Sequence, residues 1–205
     1  MNFNLKHIAG ALLALAVMAG PAAAASRVDL ANPAFAPVSG ATSVPIGASE
    51  FCKTYRDDCV ANPGGNQIEP LTEAGWSTLI AINDRVNTTI TPVTDMDLYS
   101  VTEFWTYPDG RGDCEDFALE KRRQLIAAGW SPASLMMTVV RQGNGEGHAV
   151  LMVRTDRGDL VLDNQVGEVL VWKDTSYEFV KRQSQTDPRK WVGITDTRVV
   201  LASAR

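Results

Sequence analysis

The sequence predicts an α+β domain in which helices come first and an antiparallel sheet follows. Two observations carry this. Up to Gly129 the apolar residues recur at helical spacing, and beyond it the pattern changes to short β-type runs. Among those runs, His148–Arg154 and Leu160–Asp163 are joined by Asp156-Arg157-Gly158, a tight-turn sequence that reads as a hairpin.

The chain has 205 residues, 45% hydrophobic and 21% charged, enough for one domain. A net charge of −5 and the lack of a basic cluster argue against a nucleic-acid partner. At the N-terminus, Lys6 and His7 precede an apolar run from Ile8 to Ala19. Gly20-Pro21 breaks the run, and Ala23-Ala24-Ala25 before Ser26 fits a cleavage site. The run is too short to span a bilayer. Residues 1–25 therefore read as a signal peptide, with no membrane span in the mature chain and a periplasmic destination.

Residues 26–50 carry Pro33, Pro37 and Pro45 among Ala, Ser and Gly, and read as an extended lead-in. The domain proper is expected over 51–205. Cys52 and Cys59 stand seven positions apart, and in an oxidising compartment they should pair across a local loop. Leu71–Thr89 reads as an amphipathic helix capped by Thr72, with Trp76, Leu79, Ile82 and Val86 on its apolar face. Asp95 and Asp97 lack the spacing of a calcium loop and read as loop polarity. Phe104-Trp105-Thr106-Tyr107 is an aromatic cluster expected to pack on the next helix. That helix runs from Cys114 to Ala128, with Asp113 as N-cap and Gly129 as stop. Strands are expected at Leu135–Arg141, at the two hairpin arms, at Val169–Trp172 and at Thr197–Leu201. The Arg-Gly-Asp triplets at 111–113 and 157–159 are explained by the helix entry and the hairpin turn.

The chemistry gathers at Cys114. If Cys52 and Cys59 pair, Cys114 is the odd thiol, set in the first turn of a helix where the dipole and free N–H groups favour a thiolate. Once residues 1–25 are removed, His148 is the sole histidine, since the sequence holds two and the other is His7. It is thus the only imidazole base available to Cys114. Asp163, on the partner arm of the hairpin, can orient that imidazole, with Asn164 as the alternative. Hairpin symmetry about residue 157 would set His148 opposite residue 166, so an offset of a few residues is needed. Asp113, Glu115 and Asp116 place three carboxylates beside the nucleophile, and like charge works against a thiolate. Two readings stand. These carboxylates ligate a Ca²⁺ ion, or they serve only as helix cap and dipole partners.

Gly112-Asp113-Cys114-Glu115-Asp116-Phe117-Ala118, Gly147-His148-Ala149-Val150-Leu151 and Leu160-Val161-Leu162-Asp163-Asn164 together resemble the bacterial transglutaminase-like cysteine proteinases, whose members include the LapG-type periplasmic proteases. The resemblance runs from about Phe51 to the C-terminus. It implies a papain/transglutaminase-like fold and a catalytic triad of Cys114, His148 and Asp163. It also implies Ca²⁺ dependence through Asp113, Glu115 and Asp116. The partners it implies are a protein substrate, such as a large surface adhesin cut at a di-alanine site, and an inner-membrane regulatory receptor. The expected function is thus an exported cysteine endopeptidase. The alternatives are a transglutaminase-type acyl transferase and an interaction protein with a non-catalytic site.

Overall fold

The computed structural model describes residues 28–198. The expected signal peptide lies outside them, as does most of the strand expected at Thr197–Leu201. Thr197 and Arg198 are not in a strand.

The chain enters through strand β1 (Val38–Thr42) and helix α1 (Ile46–Thr54). The stretch read as an unpacked lead-in therefore supplies a sheet edge. Its five residues are all exposed, and an edge strand of this kind carries no apolar alternation for a sequence reading to detect. A short 3-10 turn, Arg56–Cys59, follows, and the expected disulfide joins Cys52 to Cys59. It ties the end of α1 to the end of this turn. Helix α2 (Glu73–Thr89) begins where Thr72 Oγ1 accepts from the Gly75 N–H at 3.0 Å. It buries Leu79, Ile82 and Val86.

Strand β2 (Thr91–Pro92) leads into the short helix α3 (Asp95–Tyr99), and β3 (Arg111–Gly112) leads into α4 (Cys114–Ala127). β2 and β3 pair in parallel, Thr91 with Arg111 and Pro92 with Gly112. This small ribbon brings the starts of α3 and α4 side by side. Gly129 ends α4 with φ +94°, as a C-terminal glycine should, and the Trp130 N–H reaches back to the Leu125 carbonyl.

Strands β4 (Leu135–Arg141), β5 (Gly147–Thr155), β6 (Gly158–Leu162), β7 (Leu170–Val171), β8 (Glu178–Gln183) and β9 (Trp191–Ile194) complete the fold. The main sheet has seven strands in the order β1-β9-β8-β4-β5-β6-β7, antiparallel throughout. Helix α4 packs on β5 and β4, and α2 packs on α4. β4 and β5 bury both faces, which explains their nearly unbroken apolar runs. The hairpin of β5 and β6 turns tightly, with Thr155 opposite Gly158. Among the described residues no helix is long and apolar enough to cross a membrane.

Candidate active site

Helix α4 starts against the beginning of β5. The Ala149 N–H points at Cys114 Sγ at 3.4 Å, so the strand that carries His148 abuts the cysteine turn. Cys114 is the only free cysteine among the described residues. Cys114 and His148 together line two clefts. One also includes Thr94, Gln142, Asn164 and Gln165, and the other includes Ile46, Trp105, Val139 and Lys181.

Asp163 follows the last residue of β6. Carried past Leu162, the hairpin register would set His148 opposite Gln165. The chain leaves the ladder after Leu162, however, and Asp163 turns toward the imidazole. His148 Nε2 and Asp163 Oδ1 are 2.8 Å apart, with both side chains almost wholly buried. Oδ1 also accepts the Gln165 N–H at 3.0 Å, and Oδ2 accepts the Tyr177 hydroxyl. Burial alone would raise the Asp163 carboxyl. The hydrogen bonds from His148, Tyr177 and Gln165 outweigh it and hold the group below the usual carboxylate range. Asn164, the alternative orienter, lines one cleft, and the hydrogen-bonded partner of His148 Nε2 is Asp163.

The acidic residues form two overlapping groups that share Asp113. Glu115 turns toward the sulfur, and the Cys114 thiol donates to Glu115 Oε2 at 3.2 Å. Asp113 lies between the sulfur and a cluster in which it meets Asp116 and Asp95. One carboxylate oxygen of each lies within 4.8 Å of the other two. Asp113, Cys114 and Glu115 form a second such group. The thiol makes that set a poor host for a hard cation, whereas three carboxylates suit Ca²⁺. The three-Asp set also contains buried oxygens without a hydrogen-bond donor: Asp95 Oδ1, Asp113 Oδ1 and Asp116 Oδ2. Their partner oxygens accept only backbone N–H groups, Asp116 Oδ1 from Thr106 at 3.0 Å, Asp113 Oδ2 from Asp95 at 3.2 Å, and Asp95 Oδ2 from Phe104. Three carboxylates that approach one another this closely, each with one oxygen lacking a donor, fit a bound cation.

Asp95, which reads as loop polarity in the sequence, is buried in this cluster. Asp113 does occupy the N-cap position, but its side chain makes no capping hydrogen bond. Gly112 is what lets the cluster close, because a Cβ there would lie 2.4 Å from Asp116 Oδ2.

Burial and mutual repulsion raise several acidic groups of this region. Burial, with Asp113 and Asp95 adding to it, raises Asp116 to about 7. Burial and the contact with Asp113 raise Glu115 to about 9. The Cys114 thiol is pushed well above its ordinary range, first by burial and then by the charge of Glu115. The Ala149 N–H acts in the opposite direction but is outweighed. The thiolate expected from the helix start is therefore not favoured by the protein groups alone.

A family model described as bacterial transglutaminase-like cysteine proteinase matches residues 38–199. The chain belongs to that family. It is a cysteine peptidase of the transglutaminase-like type, which implies a protein substrate. The sequence comparison with curated proteins finds no match. Among solved structures, Legionella pneumophila LapG is similar at 25% identity, covering 59% of this chain and 69% of that chain, with a TM-score of 0.49. The calcium-bound form of Legionella pneumophila LapG is similar at 21% identity, covering 77% of this chain and 92% of that chain, with a TM-score of 0.47.

Proposed function

We propose that the protein is a periplasmic cysteine endopeptidase in which Cys114 is the nucleophile, His148 the general base and acid, and Asp163 the residue that orients the imidazole. The observation that carries this reading is the buried 2.8 Å contact between His148 Nε2 and Asp163 Oδ1, on a strand whose next N–H meets Cys114 Sγ. With Nε2 given to Asp163, Nδ1 is the nitrogen that would exchange a proton with the thiol, in place of its 3.5 Å contact with the Gln165 side-chain amide. Cys114 gives its proton to His148 as the sulfur attacks the scissile carbonyl carbon. The imidazolium then protonates the departing amine, and the N-terminal fragment remains as a thioester. Water, deprotonated by His148, releases it as an acid. The Cys114 N–H, at the helix start, would donate to the oxyanion.

Asp95, Asp113 and Asp116 would hold Ca²⁺. When bound, the ion supplies positive charge to an acidic turn that otherwise works against thiolate formation. In this reading Glu115, one of the three ligands expected from the sequence, acts beside the sulfur instead. We read the substrate as a periplasmic or surface protein of the adhesin type, and an inner-membrane receptor as the regulator. Acyl transfer to an amine is the second reading, favoured by the same thioester chemistry.

The test is cleavage of a panel of adhesin-type peptides with Ala-Ala sites by the wild type and by Cys114→Ala. Each is run with Ca²⁺ or chelator, with and without a lysine-like amine. Cutting that requires both Cys114 and Ca²⁺ supports the proposal, and a ligated product in place of free ends moves it to acyl transfer. Cutting that persists in Cys114→Ala refutes it.

A further inference from the structure

Asp163 lies beyond the last hydrogen-bonded pair of β6, so the strand ladder no longer fixes its side chain. Three donors do. His148 Nε2 and the Gln165 N–H share Oδ1, at 2.8 Å and 3.0 Å. Oδ2 faces away from the imidazole and accepts from the Tyr177 hydroxyl. Tyr177 is buried at 5% exposure and directly precedes β8, which is separated from β6 by two strands of the sheet. Its ring centroid lies 5.4 Å from that of His148, tilted by 52°. The same phenol thus touches both members of the buried pair. Behind them lies a cavity of about 180 Å³, lined by Val161, Val166 and Leu170 as well as by Asp163 and Tyr177. Thr175 and Ser176 also line it, so a carboxylate that turned into this space would find room and hydroxyl groups there.

We propose that Tyr177 is the positioning residue for Asp163. Its hydroxyl pins Oδ2 against the cavity wall, so that Oδ1 stays aimed at His148 and the neutral imidazole keeps its proton on Nε2. The proposal rests on the reading of Asp163 as the orienting member of the triad. Phenylalanine at 177 keeps the ring against His148 and removes only the donor. The carboxylate can then rotate toward the cavity, and the imidazole loses the contact that selects its tautomer.

Two measurements on the chain beginning after residue 25, where His148 is the only histidine, decide it. The first is the rate of Cys114 alkylation by iodoacetamide at pH 7.5, which needs no knowledge of the substrate. It is taken for wild type, Tyr177→Phe, Asp163→Asn and the double variant. The second is the ¹⁵N shifts of the His148 ring nitrogens at a pH where the ring is neutral. Loss of one hydrogen bond to a charged acceptor predicts alkylation slowed about tenfold in Tyr177→Phe. The ¹⁵N shifts should move toward a tautomer mixture, and the double variant should react within about twofold of Asp163→Asn alone. If Asp163→Asn is slow while Tyr177→Phe matches wild type in rate and tautomer, the proposal falls and the triad reading stands. If the Tyr177→Phe loss multiplies with that of Asp163→Asn, the phenol acts on the fold rather than through Asp163, and the proposal falls. If Asp163→Asn itself reacts like wild type, the triad reading falls and takes the proposal with it.

Discussion

Removing the cation from the three-Asp cluster should reverse the pH dependence of stability that an acidic protein usually shows. Asp116 is fully buried, and in the ion-free protein its carboxyl sits at about 7 against an ordinary value of 3.8. A carboxyl raised in the folded state binds its proton more tightly there than in the unfolded chain. Its contribution therefore favours folding at low pH and is lost as pH rises from about 4 to about 7. At 1.36 kcal/mol per unit, the ionised group costs on the order of 4 kcal/mol at pH 8, an upper figure because the site can relax. Urea unfolding of the wild type and of Asp116→Asn, at pH 5 and pH 8, with Ca²⁺ or EGTA, measures this. In EGTA the wild type should be more stable at pH 5 than at pH 8, and Ca²⁺ should restore the loss at pH 8. Asparagine keeps the acceptor for the Thr106 N–H but carries no charge. Asp116→Asn in EGTA should therefore be more stable than wild type at pH 8 and gain little from Ca²⁺. Equal stabilities of the two proteins in EGTA at pH 8, with a normal Ca²⁺ response in the variant, would refute the cluster as a charge-stressed cation site.

Two further outcomes follow from the same physics. Gly112→Ala puts a Cβ within 2.4 Å of Asp116 Oδ2, so calorimetric titration should show Ca²⁺ affinity lowered at least tenfold, and wild-type affinity would contradict the geometry. Lys121 is fully buried on α4, its Nζ has no hydrogen-bond partner among the described residues, and burial lowers it to about 7, with Asp163 opposing. A lysine lowered in this way binds its proton less tightly when folded, so stability rises with pH between about 7 and 10.5. Lys121→Met should therefore be more stable than wild type by up to a few kcal/mol in urea at pH 7 and lose that advantage by pH 10, whereas an unchanged gap would contradict the account.

The elements legible in the sequence are those whose burial leaves a pattern. Leu135–Arg141 is a strand over the expected residues because both of its faces are buried. Helix α2 follows Thr72 because the cap is local. β8 was not expected, and its sequence shows why. Arg182 and Gln183 are buried, and they are held by hydrogen bonds to Met136, Met137 and Pro188 that only the folded sheet supplies. The candidate site divides in the same way. Cys114 and His148 stand out because the sequence holds few cysteines and histidines, and Asp163 because the hairpin sets it near His148. Asp95 does not, although its Asp-x-Asp pattern is visible. It reaches Asp113 through the parallel pairing of β2 with β3, a long-range contact between two-residue strands too short to leave a periodic signal. Glu115 reads as a ligand by its place in the acidic run, and the helical turn sets it both beside the sulfur and within the group of Asp113, Cys114 and Glu115.

The most direct test of the account is the covalent intermediate. A peptide that the protein cleaves is incubated with it for less than one turnover and quenched in acid, and the mass of the intact chain is measured. The account predicts a species heavier by the peptide's N-terminal fragment, mapped to Cys114 as a thioester and missing from Cys114→Ala. Cleavage with no such species in the wild type, or with the adduct on another residue, would contradict it.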